Sequence, residues 1–155
     1  AKETLVQDML AIIHQHDIPL KLLELELTES AFLEDGKRLM SVMRELAETG
    51  FILSLDDFGS GYSSLTQLLR LPVSTLKIDK EFIDTWEVRR NSVLIEGVVS
   101  LAQRLRLKTL AEGVETAEQV EMLKSVGCEY AQGYHYSRPI TVAEFEGLVY
   151  RRPTA

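Results

Sequence analysis

The apolar residues of this chain switch repeatedly between helical and strand spacing, and that alternation limits the fold more than any single motif. Leu5, Met9, Ile12 and Ile13 mark one face of a first helix that stops near His16 to Pro19. Leu23, Leu25 and Leu27 then alternate with Glu24 and Glu26 as a strand. Leu39, Met40, Met43, Leu46 and Ala47 return to helical spacing until Gly50, and 51–55 is the next strand. The cycle continues with a short helix at 63–69 ended before Pro72, a strand at 75–78, a long helix at 91–105 and a strand at 109–111. Thr116 with Gln119 makes a capping box for a helix ending at Gly127, a short strand follows at 129–131, and Thr141 with Glu144 caps a last helix.

Strands separated by helices imply a parallel sheet with crossover helices, hence an α/β fold. A complete (β/α)8 barrel takes ~250 residues, more than the 155 here, whereas an open five-stranded doubly wound sheet fits this length. Against the open sheet, the chain begins in a helix with no strand before it, as though the first part of a barrel had been removed. With 45% hydrophobic residues, a substantial core is available.

Each strand of this reading ends in polar side chains, and parallel α/β folds place their sites at those ends. Glu26 closes the first, followed by Thr28 and Glu29; the adjacent Asp56 and Asp57 close the second; Lys77 and Asp79 stand two apart on the third. Glu112 closes the fourth, with Gly113 and Glu115 beyond, and Gln132 with Gly133 closes the fifth. Two neighbouring carboxylates repel, and a cation readily offsets that repulsion. Asp and Gly also build ordinary turns, so the Asp56-Asp57 run alone leaves the choice between turn and metal site open. Carboxylates at four of the five strand ends favour the metal site. A cluster rich in carboxylates and poor in His or Cys suits Mg2+ or Mn2+. Two such ions could clamp a phosphodiester and generate hydroxide for in-line attack.

Other signals argue against competing classes. A formal charge of −7 opposes nonspecific binding to a nucleic-acid polymer and leaves Lys77 as the cation for any phosphate substrate. Asp57-Phe58-Gly59 matches a kinase tripeptide, but no His-Arg-Asp loop precedes it and no glycine-rich nucleotide loop exists. A receiver domain would carry its acidic pair on the first strand, where Glu26 stands instead. His14 and His16 lie at a helix end and His135 reads as a surface histidine. The single cysteine, Cys128, suits a reducing compartment, and no apolar run is long enough to span a bilayer, so a cytoplasmic location is expected, with attachment of the full-length protein to the inner membrane left open.

Taken in order, Glu26-Leu27-Thr28-Glu29, Leu55-Asp56-Asp57-Phe58-Gly59-Ser60-Gly61, Leu76-Lys77-Ile78-Asp79, Ala111-Glu112-Gly113-Val114-Glu115 and Gln132-Gly133-Tyr134 with Ser137-Arg138-Pro139 resemble the EAL-domain family of bacterial cyclic-di-GMP phosphodiesterases. The resemblance implies a modified TIM barrel that hydrolyses cyclic di-GMP to linear pGpG with two Mg2+ or Mn2+ ions. It would make Glu26 and Asp56 metal ligands, with Asp56 able to bridge the ions and Asp57 on the second ion. Lys77 would contact the attacking water or the phosphate; Glu112 would bind the second ion or act as general base; Gln132 would act through metal-bound water. Glu29 would anchor the loop at 57–64, and Ser60, Asp79 and Glu115 would lie on the substrate side or behind the ligands.

Ser60 stands where the family has Thr, keeping the hydroxyl. The Glu-Ala-Leu motif and an asparagine ligand belong upstream of Ala1, so residues 1–155 are expected to be the C-terminal portion of a single domain, with about five of eight β/α units. Such a fragment should be inactive alone and expose an apolar sheet edge and barrel interior, favouring association. The resemblance also implies a homodimer through the 57–64 loop and an upstream sensory or diguanylate cyclase (GGDEF) domain. A noncatalytic cyclic-di-GMP receptor, or a dimerisation module, is the alternative.

Overall fold

The structure, a computed structural model, describes residues 4–59 and 65–150. Five parallel strands, β1 (Glu24–Thr28), β2 (Ile52–Phe58), β3 (Thr75–Ile78), β4 (Lys108–Ala111) and β5 (Tyr130–Ala131), form one sheet in the order β1-β2-β3-β4-β5. Every strand lies beside the next in sequence. A doubly wound sheet reverses direction at a switch point; this one does not, so it is the arc of a singly wound barrel. The helices are α1 (Thr4–Gln15), α2 (Phe32–Thr49), α3 (Leu65–Leu68), α4 (Lys80–Asp84), α5 (Arg89–Leu105), α6 (Ala117–Val126) and α7 (Val142–Val149).

The expected signals act where they were read. Gly50 ends α2 at φ 106°, a left-handed position that glycine adopts without steric cost, and its N–H bonds back to Ala47 O. Thr116 with Gln119 and Thr141 with Glu144 both form complete capping boxes. Helix α4 was not anticipated. Its five residues are too few to show a period, and its start depends on the Asp79 side chain accepting the Glu81 N–H at 2.7 Å.

Alternation along the strands divides the sheet into two unlike faces. Leu53, Leu55, Leu76, Ile78 and Ala111 are buried on the helix-covered side with Met43, Val99 and Leu123. Register places Glu26, Ser54, Asp56, Thr75 and Lys77 on the opposite face. The interior face is therefore polar over β1 to β3, which corrects the expectation of an apolar barrel interior; the residues that alternate with the core leucines are the ones that carry the chemistry. Exposed apolar side chains include Val142, Phe145 and Leu148 of α7, a helix in which no residue is buried.

Leu55 is fully buried at the centre of the helix-covered face. Leu55→Ala should lower unfolding free energy by about 2–5 kcal/mol through lost transfer energy and a residual cavity, read as a reduced urea midpoint at unchanged m-value.

Candidate metal centre

The site is organised around Lys77, which is 3% exposed at the centre of the polar face. Its Nζ lies 2.8 Å from Glu26 Oε1, 3.1 Å from Asp56 Oδ1 and 2.7 Å from Glu112 Oε1. Burial opposes the charge, but the hydrogen bonds that the ammonium donates to Glu112, Glu26 and Asp56 outweigh it, so its pKa is raised well above the usual lysine range. Carboxylates from β1, from β2 and from the end of β4 thus meet at one cation on β3.

Adjacent residues of a regular strand point to opposite faces, so Asp56 and Asp57 need a local departure to act together. The register supplies it. Leu55 pairs with Leu76 and Phe58 with Ile78, so two residues of β2 oppose the single Lys77. This is a β-bulge, which re-aims a side chain beside a site. Within it Asp57 adopts φ 55°, uncommon outside glycine though tolerated by aspartate, and its N–H bonds to Asp56 Oδ1 at 3.1 Å.

The bulge brings Asp57 into a cluster with Asp56 and Glu112 in which one carboxylate oxygen from each lies within 4.8 Å of the others. Burial, and then the neighbouring charges of Asp56 and Asp79, push the Asp57 carboxyl above the usual range. Lys77 bonds Asp56 through Oδ1 and Glu112 through Oε1. Among the described residues no hydrogen bond to Asp56 Oδ2, Glu112 Oε2 or the Asp57 carboxylate is present. Oxygen donors in an acidic cluster that Lys77 compensates only in part are the coordination chemistry of a hard divalent cation, so these residues fit one.

The remaining sequence candidates surround this centre. Gln132 Nε2 donates to Glu112 Oε1 at a long 3.5 Å. Glu29, 2% exposed, accepts the Gly59 N–H at 3.1 Å, tying the end of β2 to the turn after β1. Asp79 caps α4, and Glu115 Oε1 pairs with Lys80 Nζ at 2.7 Å. Ser60 lies outside the described residues, as does most of the 57–64 loop. Two residues were not read from the sequence as parts of the site. Lys80 lies so close over Gly113 that a Cβ there would come within 2.3 Å of its stem, a close approach that Gly113 after Glu112 could have signalled. Gln119 was recognised only as a cap.

The EAL domain family model matches residues 1–139. The chain belongs to the EAL domain family. It is 40% identical over 146 residues to the cyclic di-GMP phosphodiesterase NbdA of Pseudomonas aeruginosa, covering 94% of this chain and 19% of that protein. It is 43% identical over 126 residues to the oxygen sensor protein DosP of Escherichia coli, covering 81% of this chain and 16% of that protein. The chain thus spans less than a fifth of either relative. Among solved structures, the PaMucR phosphodiesterase in complex with c-di-GMP matches at TM-score 0.88 and 37% identity, over 94% of this chain and 59% of that one. The EAL domain of Mycobacterium smegmatis DcpA matches at TM-score 0.87 and 34% identity, over 96% of this chain and 67% of that one. The five-stranded arc accordingly corresponds to part of the TIM-barrel-like EAL fold.

Lys77→Met leaves three converging carboxylates without their cation. It should destabilise the EAL domain by about 3–5 kcal/mol in metal-free buffer, with Mn2+ recovering part of the loss in thermal melts. Because folding raises the Lys77 pKa, its contribution is complete below the unfolded value near ~10.4 and is lost only as pH climbs through the higher folded value. The stability gap between wild type and Lys77→Met should therefore stay constant from about pH 6 to 9.

Proposed function

We propose that the protein carrying this chain hydrolyses cyclic di-GMP to linear pGpG with the help of Mg2+ or Mn2+. The observation that carries this reading is the convergence of Asp56, Asp57 and Glu112 beside the buried Lys77. Similarity to the cyclic di-GMP phosphodiesterase NbdA and to the c-di-GMP complex of PaMucR supports the choice of substrate.

Asp56, Asp57 and Glu112 would hold the metal, with Glu26 as a further ligand and Gln132 acting through water. When bound, the metal supplies Lewis-acid charge for the phosphate and lowers the pKa of water. Lys77 offers the positive charge that the phosphate oxygens need, at an ammonium held by carboxylates on adjoining strands. Where it does not bind the metal, Glu112 would instead act as general base and accept a proton from the attacking water. Hydrolysis consumes one water. Its oxygen bonds to phosphorus, the bond from phosphorus to the 3′-oxygen breaks, and the proton passes to that leaving oxygen. Asp79, at the start of α4, and Glu115, beside Lys80, would lie on the substrate side or behind the ligands.

Incubating the full-length protein with cyclic di-GMP and Mn2+ should yield pGpG by chromatography, and Asp56→Asn should reduce turnover by about a thousandfold or more. Saturable binding without product would identify a receptor instead of an enzyme. Retained turnover in Asp56→Asn would remove that carboxylate from the ligand set.

A further inference from the structure

Gln119 is polar yet only 5% exposed, and the cap it forms uses half of its side chain. Its Oε1 accepts the Glu115 N–H at 2.7 Å and the Thr116 N–H at 3.0 Å, and its own N–H donates to Thr116 Oγ1 at 3.2 Å. A glutamate at this position would cap equally well. The amide nitrogen is surplus to the cap, and it donates to Ile83 O on α4 at 3.1 Å, 36 residues away in sequence. A buried side-chain bond of that span joins the start of α6 to α4.

Helix α4 and the segment that leads into α6 form the wall of one cleft. A cavity of about 250 Å³ is lined by Glu112 itself together with Lys80, Gly113, Glu115, Gln132 and Tyr134. Helix α4 contributes Lys80, whose ammonium holds Glu115 and whose stem covers Gly113. The segment before α6 contributes Gly113 and Glu115. Glu112 is fixed separately, its N–H donating to Ile78 O at 3.1 Å directly beyond the paired ends of β3 and β4. Loosening the α4–α6 tie therefore moves the wall and leaves the carboxylate cluster in place.

We infer that Gln119 is a positioning residue for the nucleotide: by tying α6 to α4 it fixes the Lys80–Glu115 wall of the cleft, and so sets substrate affinity more than the rate of the chemical step. This inference rests on the phosphodiesterase reading above. Gln119→Glu isolates the tie, since the carboxylate still caps α6 but turns an oxygen toward Ile83 O. At pH 8 a carboxylate accepting two backbone N–H groups is ionised and cannot donate. Thr116→Ala is the control, removing the cap's hydroxyl and leaving the tie.

In the full-length protein Gln119→Glu should raise KM for cyclic di-GMP about tenfold, the scale of one buried bond replaced by an oxygen–oxygen contact. Its kcat should stay within about twofold and its Mn2+ affinity unchanged. Thr116→Ala should lower the melting temperature without moving KM. The double variant with Lys80→Met should raise KM by less than the product of the single effects, because both act on the same wall. An unchanged KM in Gln119→Glu, a loss confined to kcat, or an equal KM rise in Thr116→Ala would overturn the inference. If the protein binds the nucleotide without cleaving it, the dissociation constant should shift by the same factor, and failure to shift is again decisive. A wild-type protein that neither binds nor cleaves cyclic di-GMP would sink the functional reading itself.

Discussion

A buried ammonium must be paired, and Lys77 is paired with carboxylates from several strands at once. That requirement sets much of the surrounding geometry. Glu26, Asp56 and Glu112 can reach a single Nζ because β1, β2, β3 and β4 lie side by side in sequence order, with their carboxyl ends together. A reversed strand order would separate at least one of these groups from Lys77. The same carboxylates leave further oxygens available, so the centre neutralises the buried ammonium and keeps oxygen donors assembled around it.

Around that centre the chain uses backbone contacts to hold the strand ends in register. Glu29 captures Gly59, fixing the exit of the bulged strand. Val114 exchanges bonds with the last strand's continuation, donating to Gln132 O and accepting from the His135 N–H. Gly133 permits that closeness, since a Cβ there would lie 2.2 Å from Val114 O. Polar loops in an α/β fold are ordinarily adaptable; here the segments carrying Glu112 and Gln132 are tied to each other and to the sheet.

Much of this was legible in the sequence. The leucines at 23, 25 and 27, the caps at Thr116 and Thr141 and the glycine stop at Gly50 are local signals, and local signals survive without knowledge of the fold. The strand-end residues were legible because alternation and chain order place them at one end of a parallel sheet. Helix α4 was not legible, because five residues do not establish a period. The polar interior face was misjudged for a related reason: Ser54, Thr75 and Lys77 look like interruptions in apolar strands until register aligns them on one surface. The amide of Gln119 was likewise hidden, since its second partner, Ile83, is brought near only when α4 and α6 both pack on α5.

By itself, then, the sequence determined the α/β class, the number of strands and the identities of the acidic candidates, because each follows from periodicity and chain order. Tertiary structure decided the rest. Length alone had favoured an open sheet and the family resemblance a modified TIM barrel; the unreversed strand order decided for the barrel arc. Adjacent aspartates on an ideal strand diverge, and only the bulge opposite Lys77, with Asp57 in a left-handed conformation, turned both toward Glu112. The physical reason is common to both: pairing between strands is nonlocal, so the register that orients each side chain exists only after distant segments have come together.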